Sequence, residues 1–472
     1  TAACQTIKNG FLQEVMKGWY ISTNPNSEPG ETTPWYASYW DFCAEYLNSR
    51  FGETWCLSPE QSLSLHAGNR TVPNQLIVRT PRGGNKPTGL IFNTSIFDLR
   101  STMPLARNVV EDDGLRLFAI PAALVEISSG FFQQKPTDAR TILATIGDAS
   151  QVLALLLDGG HSVIAGRIAG AFRNIGRDRI AEEILSGMGA AGYTVRETDP
   201  FEAQIALGLP RREVSPYASR IRMMWQEMRG EILANFPPPP GKPNDIDAYM
   251  KRVDDAYAAD AYHSLSIEGY NVSPTLIERV KSGDWSPDRE GQDRNHRDAL
   301  AARGYFQAFE AVKKSVKSVL VNENPGAVAE RDHSIWYREL FAPSVAAGIL
   351  KPTDLAGYRS DRVFIRRSMH VPLSPQAVRD AMPLVFEMLE NEVHAAVRVV
   401  LGHFIFVYIH PYIDGNGRMG RFLMNLMFAS GGYPWTIIRV EHRAEYMSAL
   451  EQASVNQDVV PFCRFIAKQM EA

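Results

Sequence analysis

Residues 394–411, HAAVRVVLGHFIFVYIHP, are apolar almost all round. A helix with no polar face belongs inside a molecule rather than on its surface. Pro411 cannot extend the hydrogen-bond ladder, so the pattern predicts a helix ending near His410. A second helical pattern, RFLMNLMFAS, runs from there to a Gly431-Gly432 stop. The chain is therefore expected to centre on a buried helical pair joined by the loop IDGNGR. Its 472 residues leave room for two or three domains around such a core.

The punctuation supports a division. ANFPPPPGKPND, residues 234–245, excludes helix and favours a stiff, extended connector. A helix, RIRMMWQEMRGEIL, precedes it. After it, Ile246, Tyr249, Met250, Val253 and Tyr257 recur at helical spacing. A polar break, SGDWSPDREGQDRN, follows at 282–295. From there the pattern is helical to the end, apart from residues 362–367, RVFIRR, which alternate as a strand or hairpin does. The first two hundred residues differ. QLIVRTP and TGLIFNT read as strands around the turn RGGNK, while ARTILATI, QVLALLL and DRIAEEIL read as helices. The expected plan is an α+β N-terminal domain over 1–205, a linker helix with its Pro-rich connector over 206–244, and a mainly α domain over 245–472.

The loop between the two buried helices carries the chemistry. HPYIDGNGRMGR, residues 410–421, packs a histidine, an aspartate, two arginines and three glycines around one asparagine. Gly415 and Gly417 permit positive φ, and Asn416 tolerates it, so successive N–H groups can converge into an anion-binding nest. The nest opens a helix, whose dipole also favours an anion. Arg418 and Arg421 are three apart and share a face, so both can reach that anion. Asp414 is a hard oxygen ligand suited to Mg²⁺ carried on phosphates. His410 has an ordinary pKa of about 6.5 and can take a proton near neutrality. Taken singly, a helix-end histidine, a GNG turn and two arginines are usually structural. Together, behind a wholly apolar helix, they describe a polyphosphate grip, its metal ligand and a base for an attacking hydroxyl.

Other readings fail on context. GMGAAG, residues 187–192, has dinucleotide-loop spacing but follows a helical segment and precedes a strand-like one, so it reads as a helix end. RTPRGGNKPTG lacks the lysine-threonine order of a phosphate-binding P-loop. The net charge of −4 offers no general attraction to nucleic acid or membrane. No apolar run approaches the roughly 18 residues of a bilayer span, and TAACQTIKNG is not patterned as a signal peptide. Four scattered cysteines, Cys4, Cys43, Cys56 and Cys463, form no framework, so a cytoplasmic setting is expected.

HPYIDGNGRMGR resembles the Fic signature, His-x-Phe-x-Asp/Glu-Gly-Asn-Gly-Arg-x-x-Arg, with Tyr412 in place of the usual phenylalanine. The resemblance extends more weakly over roughly 245–472. It implies an all-α Fic fold with a β-hairpin flap, and transfer of AMP from Mg-ATP, or Mn-ATP, to a hydroxyl of a target protein, which can be the chain itself. It makes His410 the general base and Asp414 the metal ligand. It gives the α- and β-phosphates to Gly415, Asn416, Gly417 and Arg418, and the γ-phosphate to Arg421, with Gly420 inside the same motif. The flap is expected at Arg362, Val363, Phe364 and Ile365, lining up target peptide by main-chain pairing. Tyr446 falls where the family often places an aromatic beside adenine, and Ser454 where it often has asparagine.

A second match lies elsewhere. HSLSIEG, residues 263–269, resembles the family's inhibitory motif, Ser/Thr-x-x-x-Glu-Gly/Asn, through Ser264, Glu268 and Gly269. It implies that Glu268 pairs with Arg421 and competes with the γ-phosphate. In the N-terminal domain, IKNGFLQEVMKGWYI and WCLSPEQSLSLH resemble winged-helix and following segments of AbiEi-type antitoxin domains, which implies a DNA- or partner-binding module. Two alternatives stand beside the adenylyltransferase reading. One is a DNA- or partner-binding regulator with a nucleotide-sensing Fic module. The other is transfer of another phosphate-containing group. Phosphorylating Doc-like relatives carry lysine where this chain has Gly417, which argues against a kinase.

Overall fold

The computed structural model describes residues 7, 9–25, 30–202, 215–283 and 293–470. Cys4, the segment 206–214 and most of the 282–295 break lie outside the described residues. The chain forms two compact units. One comprises Thr1–Glu227 with Phe364–Pro372; the other comprises Met228–Val363 with Leu373–Ala472.

The first unit begins with an antiparallel hairpin, β1 (Leu12–Met16) and β2 (Trp19–Ser22). Helix α1 (Thr33–Phe51) buries Trp35, Tyr39 and Leu47 completely. Next come β3 (Cys56–Leu57), α2 (Pro59–His66), β4 (Gln75–Thr80), β5 (Pro87–Gly89) and β6 (Ser95–Arg100). Their sheet order is β3-β4-β6-β5, with β4 and β6 parallel. This overturns the simple hairpin expected around RGGNK. The apolar run TGLIFNT breaks after Gly89, because Phe92 and Asn93 adopt positive φ and turn the chain into β6. The RGGNK loop lies over β6 instead. Asn85 N–H donates to the Asp98 carbonyl, and a Cβ at Gly83 would come within 2.6 Å of the Arg100 nitrogen. A second hairpin, β7 (Val109–Asp112) and β8 (Leu115–Phe118), closes the β part.

Helices α3 (Ile120–Glu126), α4 (Gly130–Gln134), α5 (Pro136–Thr145), α6 (Ser150–Asp158), α7 (Ser162–Asn174) and α8 (Asp178–Ala190) make a separate apolar core. GMGAAG ends α8 and turns at Gly192, whose φ is +86°. Among the described residues no single helix is long and apolar enough to cross a membrane. The unit divide falls inside α9 (Pro216–Asn235). Arg220 of α9 pairs with fully buried Asp138, which also accepts from Ser64 and Asn69.

The second unit is helical. The connector after α9 carries no helix at 237–244 and lies against the end of the central helix: Gly241 N–H donates to the Gly431 carbonyl. Helix α10 (Ile246–Ile267) starts at an Asp245 cap, whose carboxylate accepts from Ala248 N–H at 2.8 Å. Helices α11 (Pro274–Ser282), α12 (Asp293–Leu320), α13 (Pro325–Ala346) and α14 (Pro375–Asn391) surround the expected central pair, α15 (Ala395–Ile409) and α16 (Asn416–Gly431). Every residue of α15 except Val407 is buried. Gly420 of α16 lets the pair approach closely, since a Cβ there would meet Val407 Cγ1 at 3.0 Å. Helices α17 (Arg443–Glu451) and α18 (Val460–Met470) flank a single π-helical stretch, Gln452–Asn456, which contains Ser454.

The expected strand or hairpin at 362–367 is absent. Residues 362–365 are irregular, and Arg367 has a φ of +61°, which stops an extended run. From Phe364 onward the segment belongs to the first unit. There Arg366 pairs with Glu31, Arg367 N–H donates to Thr33 Oγ1, and the Met369 carbonyl accepts from Val72 N–H. These bonds replace the ladder that a hairpin would have formed.

Candidate active site

The site grows from the α15–α16 junction. His410 closes α15 in the left-handed conformation, with φ 55° and ψ 61°. That geometry costs a side-chain-bearing residue roughly 1–2 kcal/mol. Gly415, with φ +81°, opens α16. A Cβ at Gly415 would also strike the Phe341 ring at 2.8 Å, so glycine is needed there twice over. Asn416 does not lie in a positive-φ turn as expected, because α16 already begins with it. Its amide pins the loop instead, accepting from Tyr412 N–H at 2.9 Å and donating to the Tyr412 carbonyl at 2.8 Å. Tyr412 is buried and stacks on Tyr337 at 3.8 Å, so it supplies the packing body expected of an aromatic there.

His410 Nδ1 lies 3.2 Å from the Val407 carbonyl. A carbonyl can only accept, so Nδ1 carries the proton and Nε2 keeps a lone pair. Burial pulls the imidazole pKa down to about 4, and the Arg359 charge adds to this; the Val407 carbonyl, Glu268 and Asp414 oppose it. The ring is neutral at pH 7.

Glu268 caps α10 at its C-terminal end. Gly269, at φ +86°, turns the chain so that its own N–H meets the Ser266 carbonyl and Tyr270 N–H meets the Leu265 carbonyl. This is a Schellman ending, which supplies a structural reason for the glycine after Glu268. The turn delivers the Glu268 carboxylate to the start of α16. Arg421 Nη2 donates to Glu268 Oε1 at 2.7 Å and to the Ser264 carbonyl at 3.1 Å, and Arg421 Nε donates to Ser264 Oγ at 2.9 Å. Burial disfavours the Arg421 charge, but Glu268, with Tyr446 and Tyr305, outweighs it and holds the guanidinium pKa above its ordinary value. A Cβ at Gly417 would come within 2.2 Å of Glu268 Oε1. Gly417 thus serves by closeness, not by the positive φ expected of it. A carboxylate occupies the N-terminal mouth of α16.

Arg418 is buried between the rings of Tyr270 and Phe341, 5.2 and 5.0 Å from their centroids, and reaches Asp414 Oδ2 at 3.3 Å. Asp414 Oδ1 accepts from Gly415 N–H at 2.6 Å. Two buried guanidinium nitrogens, Arg418 Nε and Arg421 Nη1, have no hydrogen-bond partner. Unmet donors beside a helix N-terminus fit a further anion. The structure therefore brings together His410, Asp414, Gly415, Gly417, Arg418, Arg421, Ser264 and Glu268. It places three residues otherwise. Asn416 braces the loop, Gly420 packs helices, and Tyr446 is buried with its hydroxyl 2.7 Å from His403 Nε2. Sequence reasoning missed Arg359, Phe341 and Tyr270. Only Tyr270 had a local signal, since it directly follows Glu268-Gly269.

Fold and site together define a helical domain that offers a helix N-terminus and two arginines to an anion beside a neutral imidazole. The Fic/DOC family profile matches residues 333–428. The chain is 31% identical over 228 residues to a protein adenylyltransferase Fic of Nematostella vectensis, covering 47% of this chain and 49% of that protein. It is 30% identical over 227 residues to a protein adenylyltransferase Fic of Culex quinquefasciatus, covering 47% of this chain and 42% of that one. It thus spans about half the length, or less, of these curated relatives. Among solved structures, a Fic-1 fragment from C. elegans is 18% identical with a TM-score of 0.40, covering 72% of this chain and 94% of that one. The chain carries a Fic domain.

Proposed function

We propose that the chain is a protein adenylyltransferase that moves AMP from ATP to a hydroxyl of a target protein, itself included, and that Glu268 restrains it. One observation carries this reading: an anionic side chain already sits over Gly417, on Arg421, beside a histidine with a free Nε2. The names of the curated relatives support the same chemistry. In the reaction, the target O–H gives its proton to His410 Nε2 as its oxygen bonds to the α-phosphorus. The bond from that phosphorus to the bridging oxygen breaks, and pyrophosphate leaves. The N–H groups at the start of α16, with Arg418 and Arg421, hold the phosphates. Residues 362–365 are the segment to test for target contact.

Among the described residues no three His, Cys, Asp or Glu side chains are grouped to hold a metal. Mg²⁺ commonly takes one or two carboxylates plus substrate phosphates, and Asp414, whose side chain is 60% exposed just before α16, fits that part. Mg²⁺ or Mn²⁺ bound there would neutralise phosphate charge. The test is intact-mass analysis of wild type and Glu268→Gly after incubation with Mg-ATP. Addition of one AMP supports the reading. A phosphate adduct would favour another transfer, and no adduct on the chain or on any protein of a cell extract would favour a nucleotide-sensing regulator.

A further inference from the structure

Arg359 is 2% exposed, yet none of its bonds goes to a carboxylate. Its Nε donates to the His410 carbonyl at 2.8 Å. Its Nη1 donates to the Asp361 carbonyl at 2.9 Å, and its Nη2 to the Leu373 carbonyl. Its own backbone N–H donates to the Pro411 carbonyl at 3.0 Å. One residue therefore grips both carbonyls at the end of α15. It also ties together Asp361 and Leu373, which flank the stretch 364–372 assigned to the first unit.

We propose that Arg359 is a positioning residue for His410, fixing the left-handed turn that aims the imidazole and closing the two ends of the 361–373 segment upon it. This rests on the adenylyltransferase reading for its role in turnover. The geometry argues for it in three ways. The conformation of His410 is one that side-chain-bearing residues hold only when their surroundings over-determine them, and Arg359 is the residue gripping its carbonyl. Three carbonyls converge on one planar fork, a set that a point-charge lysine does not reproduce. Finally, a buried cation facing only carbonyls is costly to keep. Burial, with neighbouring Arg379, pulls its pKa down to about 10, so it still carries its charge at pH 7. The charged groups acting on His410 are Arg359, which lowers its pKa, and Glu268 and Asp414, which raise it.

The fork and the charge can be separated. In the full-length chain carrying Glu268→Gly, Arg359→Lys and Arg359→Met are compared with the parent. Mg-ATP affinity is measured by calorimetry, transfer by kcat and KM for ATP, and the His410 ring by NMR titration. Both variants should lose about 100-fold in kcat with ATP affinity and KM unchanged, because misplacement by about 1 Å costs that much. The His410 pKa should rise in Arg359→Met and stay low in Arg359→Lys. Unchanged kcat and His410 titration in a folded, ATP-binding Arg359→Met chain would overturn the proposal, as would losses confined to ATP affinity. If Arg359→Met does not fold, the kcat of Arg359→Lys decides. If the Glu268→Gly parent transfers nothing, the adenylyltransferase reading fails, and the NMR resonances of His410 decide the part of Arg359: displaced in Arg359→Lys, which keeps the charge, they support positioning, and unmoved they overturn it.

Discussion

Replacing Glu268 with glycine should make the resting chain less stable and the nucleotide more effective at restoring it. Arg421 is 3% exposed, and Glu268 meets it with a charge-assisted bond of 2.7 Å from a side chain 26% exposed. Bonds to charged groups contribute about 1.5–3 kcal/mol. The quarter exposure of Glu268 argues for the lower half of that range, because water screens the pair. Without the carboxylate, Arg421 keeps its bonds to Ser264 and the more distant charge of buried Asp260. A loss of about 2 kcal/mol corresponds to roughly 4–8 °C in the Tm of a unit of this size. Phosphate should refill the same place, so saturating Mg-ATP should recover most of that loss. By the same energy, about 2 kcal/mol, ATP affinity or productive positioning should improve about 30-fold, and labelling from α-labelled ATP should rise at least about tenfold. Thermal scans with and without Mg-ATP, alongside labelling, test both. A variant with unaltered Tm and unaltered nucleotide response would refute the claim that Glu268 stands in for a phosphate. Arg421→Ala should not be rescued by the glutamate change, since the arginine serves both partners.

His410→Ala should leave ATP binding nearly intact and lower transfer by about 10²- to 10⁴-fold, the usual range for a lost general base; undiminished labelling would remove it from the mechanism. Asp414→Ala should mimic chelation of the divalent ion, and full activity in excess chelator would exclude that role. Gly417→Ala puts a methyl where the Glu268 oxygen lies, so it should lower the Tm and, in the Glu268→Gly background, weaken ATP binding seen by calorimetry. With His410 at about 4, the transfer rate should be flat between roughly pH 6 and 8 and fall only in acid. His410 and His403, at about 4 and about 3, both lie below the ordinary 6.5. Their stabilising contribution is present above that value and lost as pH falls through 4 and 3. Buried Asp260, raised to about 6, runs the other way, its contribution fading as pH rises through 6. Urea titrations of His403→Phe against wild type should isolate the histidine part.

The central helices were legible because their signals are local. A run with no polar face and a proline after His410 dictate where α15 lies and ends. The signature's residue types were legible, but some of their reasons were not. Gly417 is needed for an approach by Glu268, a residue 149 positions earlier whose arrival only the folded chain reveals. Arg359 gave no sign, because its acceptors are carbonyls, which every residue owns. The 362–367 stretch misled because alternation describes two faces and not a bonding partner. Arg366 and Arg367 find theirs at Glu31 and Thr33, more than three hundred residues away. The parallel β4–β6 pair was hidden likewise, since a short turn normally implies an antiparallel hairpin.

Glu268 and Arg421 stand 153 positions apart on one chain. A restraint carried on the same molecule has an effective concentration set by the fold, and dilution of the protein does not weaken it. On the proposed reading, free ATP competes with it only through its own bulk concentration. The state of the site is then a ratio between a fixed local quantity and a variable solution one. Whatever loosens the end of α10 by even one helical turn changes that ratio for every molecule, at any expression level. On the proposed reading, the chain measures its own folding integrity at that turn against the supply of nucleotide.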